Sequence, residues 1–179
     1  EYVIATFLVF IFPEIVASVI LTIIVAPLVE EWAKGTGVIR LSKHPEYEGM
    51  MDGIVYGAAI GAGFALTENI LYGLNALVFG GLLAGLLTVF LRSSLEIVGH
   101  PFYTGFIGSE VGFQKAYGKG GFWNGYSKAV TFHAIWNTAA IISIIDEIIG
   151  LAIIIGVSVV YGVILKARLR YALELEKGI

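Results

Sequence analysis

Glu30 and Glu31 are adjacent carboxylates inside a run that otherwise reads as lipid-facing, EIVASVILTIIVAPLVEEWAKGTGVI from Glu14 to Ile39. An acidic or basic side chain at the middle of a bilayer costs roughly 2.5 to 3.5 kcal/mol on insertion scales, so two together need a compensating role. Glu14 differs, because it opens the run beside Pro13 and can stand at the interface. Ionisable residues recur in similar apolar company: Lys34, Glu68 in GFALTENILY, His100 in IVGHPFYTG and His133 in TFHAIWN. Charges buried in this way pair with one another, bind a metal or carry protons, which marks a functional site within the membrane.

The spacing narrows the chemistry. On a helix, Glu30 and Lys34 share a face, as do Phe64 with Glu68 and His133 with Asn137. An ammonium beside a carboxylate in a dry site keeps it ionised and aimed. The amide of Asn137 can donate to a developing oxyanion or hold His133 in one tautomer. Glutamate and histidine are ligands that zinc accepts, with three protein ligands and one open position as the catalytic arrangement. A carboxylate left over then serves as general base toward the bound water.

The elements that must position these groups follow from composition. The chain has 179 residues, 58% hydrophobic and 14% charged, with a mean hydropathy of +0.87. A soluble domain carries nearer a quarter charged residues, so the expected class is an all-α, multi-pass transmembrane helical bundle, one domain over residues 1–179. A net charge of -3 without a basic stripe argues against a nucleic-acid partner. The absence of cysteine removes disulfides, thiolate ligands and cysteine nucleophiles. Residues 1–12, which lack a basic flank, read as the tail of a truncated helix and not as a signal peptide.

A spanning helix needs about 20 apolar residues. Six segments are predicted, at 14–41, 51–73, 75–91, 94–113, 125–146 and 148–170, the 75–91 segment being the shortest. Alternating crossings place Arg40, Lys43 and Arg92 on one side and Lys115, Lys119, Lys128, Lys166, Arg168, Arg170 and Lys177 on the other, which becomes the expected cytoplasmic side. At about 1.5 Å per residue, Glu30, Glu68, His100 and His133 all fall within the hydrocarbon layer, at depths that let them converge. Glycines cluster at 57, 61 and 63, at 80, 81 and 85, and at 105, 108 and 112, a pattern that lets membrane helices approach closely.

Other polar residues have plainer readings. His44 reads as an exposed loop residue and Arg92 as a solvated or headgroup contact, with a substrate or site-orienting role as the alternative. Glu96, Glu110, Asp146 and Glu147 read as solvated helix ends, and Trp32, Trp123 and Trp136 as packing or interface aromatics.

Taken together, APLVEEWAKG, MDGIVYGAAIGAGFALTENILY, the histidine of GHPFYTG and FHAIWN resemble the PrsW family of intramembrane proteases, related to the type II CAAX prenyl proteases. The resemblance runs from about residue 14 to 146 and rests on Glu-Glu-x-x-Lys, Phe-x-x-x-Glu-Asn, His and His-x-x-x-Asn in that order. It implies that Glu30 and Glu31 are the catalytic pair, with His133 and Asn137 as the last motif. A bacterial PrsW member cleaves a membrane-anchored anti-sigma factor on its extracytoplasmic part. The expected protein is thus a multi-pass endopeptidase of the cell membrane, its partners lipid and a membrane-anchored protein substrate. In its metal version Glu68, His100 and His133 bind zinc and Glu30 is the base, with Glu31 able to replace Glu30 or Glu68. In its metal-free version Glu30 and a histidine activate water while Asn137 stabilises the oxyanion. A proton- or cation-coupled transporter and a noncatalytic membrane scaffold are the rival readings.

Overall fold

The computed structural model describes residues 2–96 and 98–178, and among them every regular element is helical. The order is α1 (Tyr2–Ile11), α2 (Glu14–Ile20), a π-helical turn (Leu21–Val25), α3 (Ala26–Leu41), α4 (Met50–Glu96), α5 (Gly99–Tyr117), α6 (Phe122–Ile145) and α7 (Glu147–Glu176). Pro13, at φ -52° and ψ 144°, opens α2 from an extended conformation. From there the chain stays helical through the π turn into α3, giving the uninterrupted Glu14–Leu41 run that its apolar pattern predicts. Gly118 ends α5 in the left-handed region, and the Asp146 carboxylate caps α7 by accepting from the N–H groups of Ile148 and Ile149.

Among the described residues, four helical runs are long and apolar enough to cross a membrane: Glu14–Leu41, Met50–Tyr117, Phe122–Ile145 and Glu147–Glu176. The polarity is turned outside-in relative to a soluble protein. Phe79, Ile144 and Ile148 are 84%, 83% and 82% exposed, whereas Glu31 and Lys34 are 0% and 2% exposed. Such a surface suits hydrocarbon and not water.

The region predicted as separate helices 51–73 and 75–91 folds differently. Nothing stops the helix at Gly73, which is there for packing: its missing side chain makes room for Val89 and the Gly85 region of the returning chain. The turn comes at Gly81, whose φ of 80° and ψ of 179° only glycine adopts readily. The returning limb, residues 82–96, is about 22 Å long at 1.5 Å per residue, short of the roughly 30 Å hydrocarbon core. It continues into α5, and the two together run antiparallel to residues 50–80. The side chain of Glu96 lies outside the described residues.

One crossing fewer changes which charges lie together. Lys115 Nζ donates to the carbonyls of Ser42 and His44, at 2.7 and 3.1 Å, and the Tyr117 hydroxyl to that of Leu175. The C-terminal ends of α3, α5 and α7 therefore share one end of the bundle. Arg40 and Lys43 join Lys115, Lys119, Lys128, Lys166, Arg168, Arg170 and Lys177 there, in place of the expected division between two sides. Glu110, expected to be solvated, is buried at this end, 3% exposed. It receives Arg168 Nη2 at 2.6 Å, Lys128 Nζ at 3.1 Å and Asn124 Nδ2 at 2.9 Å, and so ties α5, α6 and α7 together.

The tightest contact in the bundle lies between residues 50–61 and α5. Side chains built at Gly53, Gly57 and Gly61 would collide with the backbone of Gly108, Thr104 and Gly105, and His100 and Pro101 respectively. Small residues every four positions on one helix thus meet backbone on the other, the close approach that membrane helices use in place of a hydrophobic drive. This contact presses the backbone of His100 against Gly61 and fixes the depth of that histidine. Gly57→Leu should therefore lower stability by at least about 1–3 kcal/mol through overpacking, while Gly63→Ala, where a Cβ meets open space, should change it by less than about 0.5 kcal/mol. Unfolding of both variants in detergent, followed by circular dichroism, checks this. Equal stability would remove the packing argument.

Candidate active site

Helix α3 buries Pro27, Glu31, Lys34, Gly35 and Val38, positions that recur at three and four residues and so form its inward stripe. The polar pair thus lies on the face that packs. Lys34 Nζ donates to Glu31 Oε1 at 2.5 Å and to His100 Nδ1 at 2.8 Å, and lies 3.7 Å from Glu30 Oε2. Its ammonium also stands 4.4 Å from the centre of the Phe64 ring. One cation therefore serves three neighbours, of which the wholly buried Glu31 carboxylate depends on it most.

The partners assign the imidazole tautomers. An ammonium only donates, so His100 Nδ1 accepts and its proton is on Nε2, which lies 3.1 Å from Glu68 Oε2. The ring N–H is not aimed along that contact, and Glu68 Oε2 makes no hydrogen bond of full geometry. A carboxylate only accepts, so His133 Nδ1 donates to Glu31 Oε1 at 2.9 Å. The lone pair of His133 is then on Nε2, 4.0 Å from Glu30 Oε2. Tyr103 stacks on the His133 ring at 4.9 Å and 15°, and the two imidazoles meet edge to face at 5.2 Å.

Side chains from α3, α4, α5 and α6 are thus brought into one cluster, and each position singled out in the sequence can be placed. Glu30, Glu68, His100, His133 and Asn137 line a cavity of about 830 Å³. Glu31 is wholly buried behind it, between Lys34 and His133. Asn137 donates to the carbonyl of Thr22 at 2.8 Å. That carbonyl lies in the π turn, where Ala26 N–H bonds the carbonyl of Leu21, and the next residue, Pro27, has no N–H to offer. The tautomer of His133 is held by Glu31 and not by Asn137. Arg92, read first as a headgroup contact, reaches inward to Glu68 Oε1 at 3.3 Å. Trp136 is buried, Trp32 and Trp123 pack against one another on the outside, and His44, Asp146 and Glu147 are exposed as expected. Tyr103 escaped the sequence reading; its one signal is its place three residues after His100, on the same helix face.

A metal fits this donor set. Glu30, His100 and His133 each offer one atom within 4.8 Å of the others. Two imidazoles and a nearby carboxylate are a donor set that a metal ion accepts, and the Glu31–His133 bond is the kind of outer carboxylate contact that commonly orients a ligating histidine. Ligation through His100 Nε2 requires Lys34 to stop donating to Nδ1. Glu31, 2.5 Å away, can keep the ammonium.

Pairing dominates this arrangement, so Lys34→Met should destabilise the protein by about 3–5 kcal/mol, the cost of leaving a buried charge alone. Adding Glu31→Leu should recover much of that loss. Additive losses in a double-mutant cycle of unfolding free energies would contradict the shared-cation account.

Comparison with curated proteins and with solved structures gives no match. The family model described as PrsW family intramembrane metalloprotease matches residues 2–165, most of the chain. With the apolar helices and the Glu/His cluster already in place, the match makes this chain a membrane protease that belongs to the PrsW family.

Proposed function

We propose that this chain is a multi-pass endopeptidase of the cell membrane that cleaves membrane-anchored proteins with water activated at the Glu/His cluster, and that the metal it holds is zinc. The observation that carries the reading is the close approach of Glu30, His100 and His133 within the cavity. Family membership favours a protease over the transporter and the scaffold.

His100 and His133 are the nitrogen ligands, and two carboxylates compete for the remaining roles. Glu68 stands 3.3 Å from Arg92 and 3.1 Å from His100 Nε2. Glu30 is 3.7 Å from Lys34 and 4.0 Å from His133 Nε2, and its side chain is 14% exposed at the cavity wall. Glu68, which is fixed by Arg92 and faces His100, is assigned as the carboxylate ligand; Glu30, whose carboxylate lies within 4.8 Å of both imidazoles, is assigned as the general base acting beside them. The bound ion would supply an acidified water and a polarised carbonyl. Glu30 takes a proton as the water oxygen adds to the scissile carbonyl carbon. It then delivers that proton to the amide nitrogen as the C–N bond breaks, leaving a carboxylic acid and an amine. Asn137 keeps a second amide hydrogen beyond the one given to Thr22, available to the oxyanion. The Lys34–His100 bond favours a second, metal-free reading, because with the ammonium in place His100 has no lone pair to offer, and Glu30 with His133 Nε2 would activate water directly.

The gathering of basic residues at one end supports a cytoplasmic location for that end. The cavity extends the other way, along Leu21, Thr22, Leu71 and Ala140, which supports access from the extracytoplasmic half. A membrane-anchored substrate reconstituted with the protein in liposomes tests the assignment. Glu30→Gln should reduce cleavage at least about 100-fold with metal content unchanged, whereas Glu68→Gln and His133→Ala should lose both metal and cleavage. Cleavage that survives verified metal removal would leave the metal-free reading. Full activity of Glu30→Gln would exclude it as the base.

A further inference from the structure

We infer that Arg92 is a positioning residue for this site, acting through Glu68 and held by Asn69. The inference rests on the proposed assignment of Glu68 and His100, and its starting point is where the short returning limb ends. Residues 82–96 fold back from Gly81 against the same helix they left. Arg92 and Ser93 thereby reach Asn69, one residue beyond Glu68.

Asn69, Glu68 and Tyr72 hold the guanidinium. Arg92 Nε donates to Asn69 Oδ1 at 2.9 Å, and Nη2 reaches Glu68 Oε1 at 3.3 Å. Its plane covers the Tyr72 ring, 3.8 Å from the centroid. Asn69 is itself 3% exposed, and its Nδ2 donates to Ser93 Oγ at 3.2 Å, so the amide is oriented from the limb it receives. The contacts form a closed circuit between residues 69–72 and 92–93. A lysine could pair with Glu68 but has no planar fork to engage Asn69 and Glu68 together.

The far oxygen of the same carboxylate faces His100. Glu68 Oε1 is taken by Arg92, which leaves Oε2 directed at His100 Nε2 at 3.1 Å. Arg92 thus sets the rotation of the Glu68 carboxylate, and with it the negative oxygen that stands 3.1 Å from His100 Nε2. Partners of this outer kind usually change metal affinity by about 10- to 100-fold when removed. Arg92 also lines the cavity, so a direct role on substrate is the competing explanation that the test must exclude.

The chain has three histidines, which makes their ring nitrogens readable one by one. With full-length protein in detergent micelles, 15N-histidine labelling should report the Nε2–H tautomer for His100. Arg92→Gln should shift the His100 ring signals and leave those of exposed His44 in place, and Arg92→Lys should restore part of the shift. Zinc affinity, measured by chelator competition, should fall about 10- to 100-fold in Arg92→Gln. Glu68→Gln with Arg92→Gln should bind zinc no more weakly than Glu68→Gln alone.

Unmoved His100 signals in Arg92→Gln, or additive losses of zinc affinity in the double variant, would overturn the inference. So would normal spectra and affinity together with a raised KM, since that result assigns Arg92 to substrate. If Arg92→Gln does not fold, Arg92→Lys carries the same comparison. Should the wild type cleave nothing, the protease assignment fails, but the histidine spectra still decide whether Arg92 acts through Glu68.

Discussion

A carboxylate carried into the middle of an apolar bundle keeps its charge only if a cation comes with it, and in this protein that cation is Lys34. Its ammonium bonds Glu31 and His100 and stands near Glu30. Glu31 in turn holds His133 by Nδ1. The result is a chain of contacts from Arg92 through Glu68, His100, Lys34 and Glu31 to His133, in which neutral imidazoles stand beside paired cations and carboxylates. No single helix could build it. Leaving any one partner out exposes another to the cost of an unpaired buried charge, which makes the cluster all-or-none.

Backbone packing lets four helices meet at one depth. The glycines at 53, 57 and 61 remove the side chains that would hold α5 away, so that His100 reaches the plane of Glu31 and Lys34. On the other side of the cavity, the π turn and Pro27 leave the Thr22 carbonyl without a main-chain donor, and Asn137 fills that place from α6. A local irregularity in α3 is thereby converted into a tie between two helices of the site. At the basic end of the bundle, Glu110 closes the α5, α6 and α7 junction with Arg168 and Lys128, away from the cavity.

Much of this could be read from the sequence because a charge in an apolar run has a visible cost. Glu30, Glu31, Lys34, Glu68, His100 and His133 stand out for that reason, and the extent of Glu14–Leu41 follows from its unbroken apolar pattern. The turn in α4 was not legible, since Gly73 and Gly81 look alike until one is packed against Val89 and the other takes φ 80°. That error moved a whole crossing and divided basic residues that in fact lie together. Glu110 looked like a solvated helix end because its partner Arg168 is 58 residues away. Arg92 was ambiguous until the fold-back brought it to Asn69. In each case the missing information was a long-range contact, which no local spacing records.

The central claim is that Glu30, His100 and His133, with Glu68 and Glu31 around them, form one metal-dependent hydrolytic centre. Anomalous diffraction at the zinc edge, on crystals of active protein, tests it most directly. A single peak between His100 Nε2 and His133 Nε2, in contact with a glutamate carboxylate and with Lys34 drawn away from His100 toward Glu31, is the result this account predicts. Active protein whose crystals show no zinc peak, with Lys34 still bonded to His100, or a metal bound only outside the cavity, would contradict it.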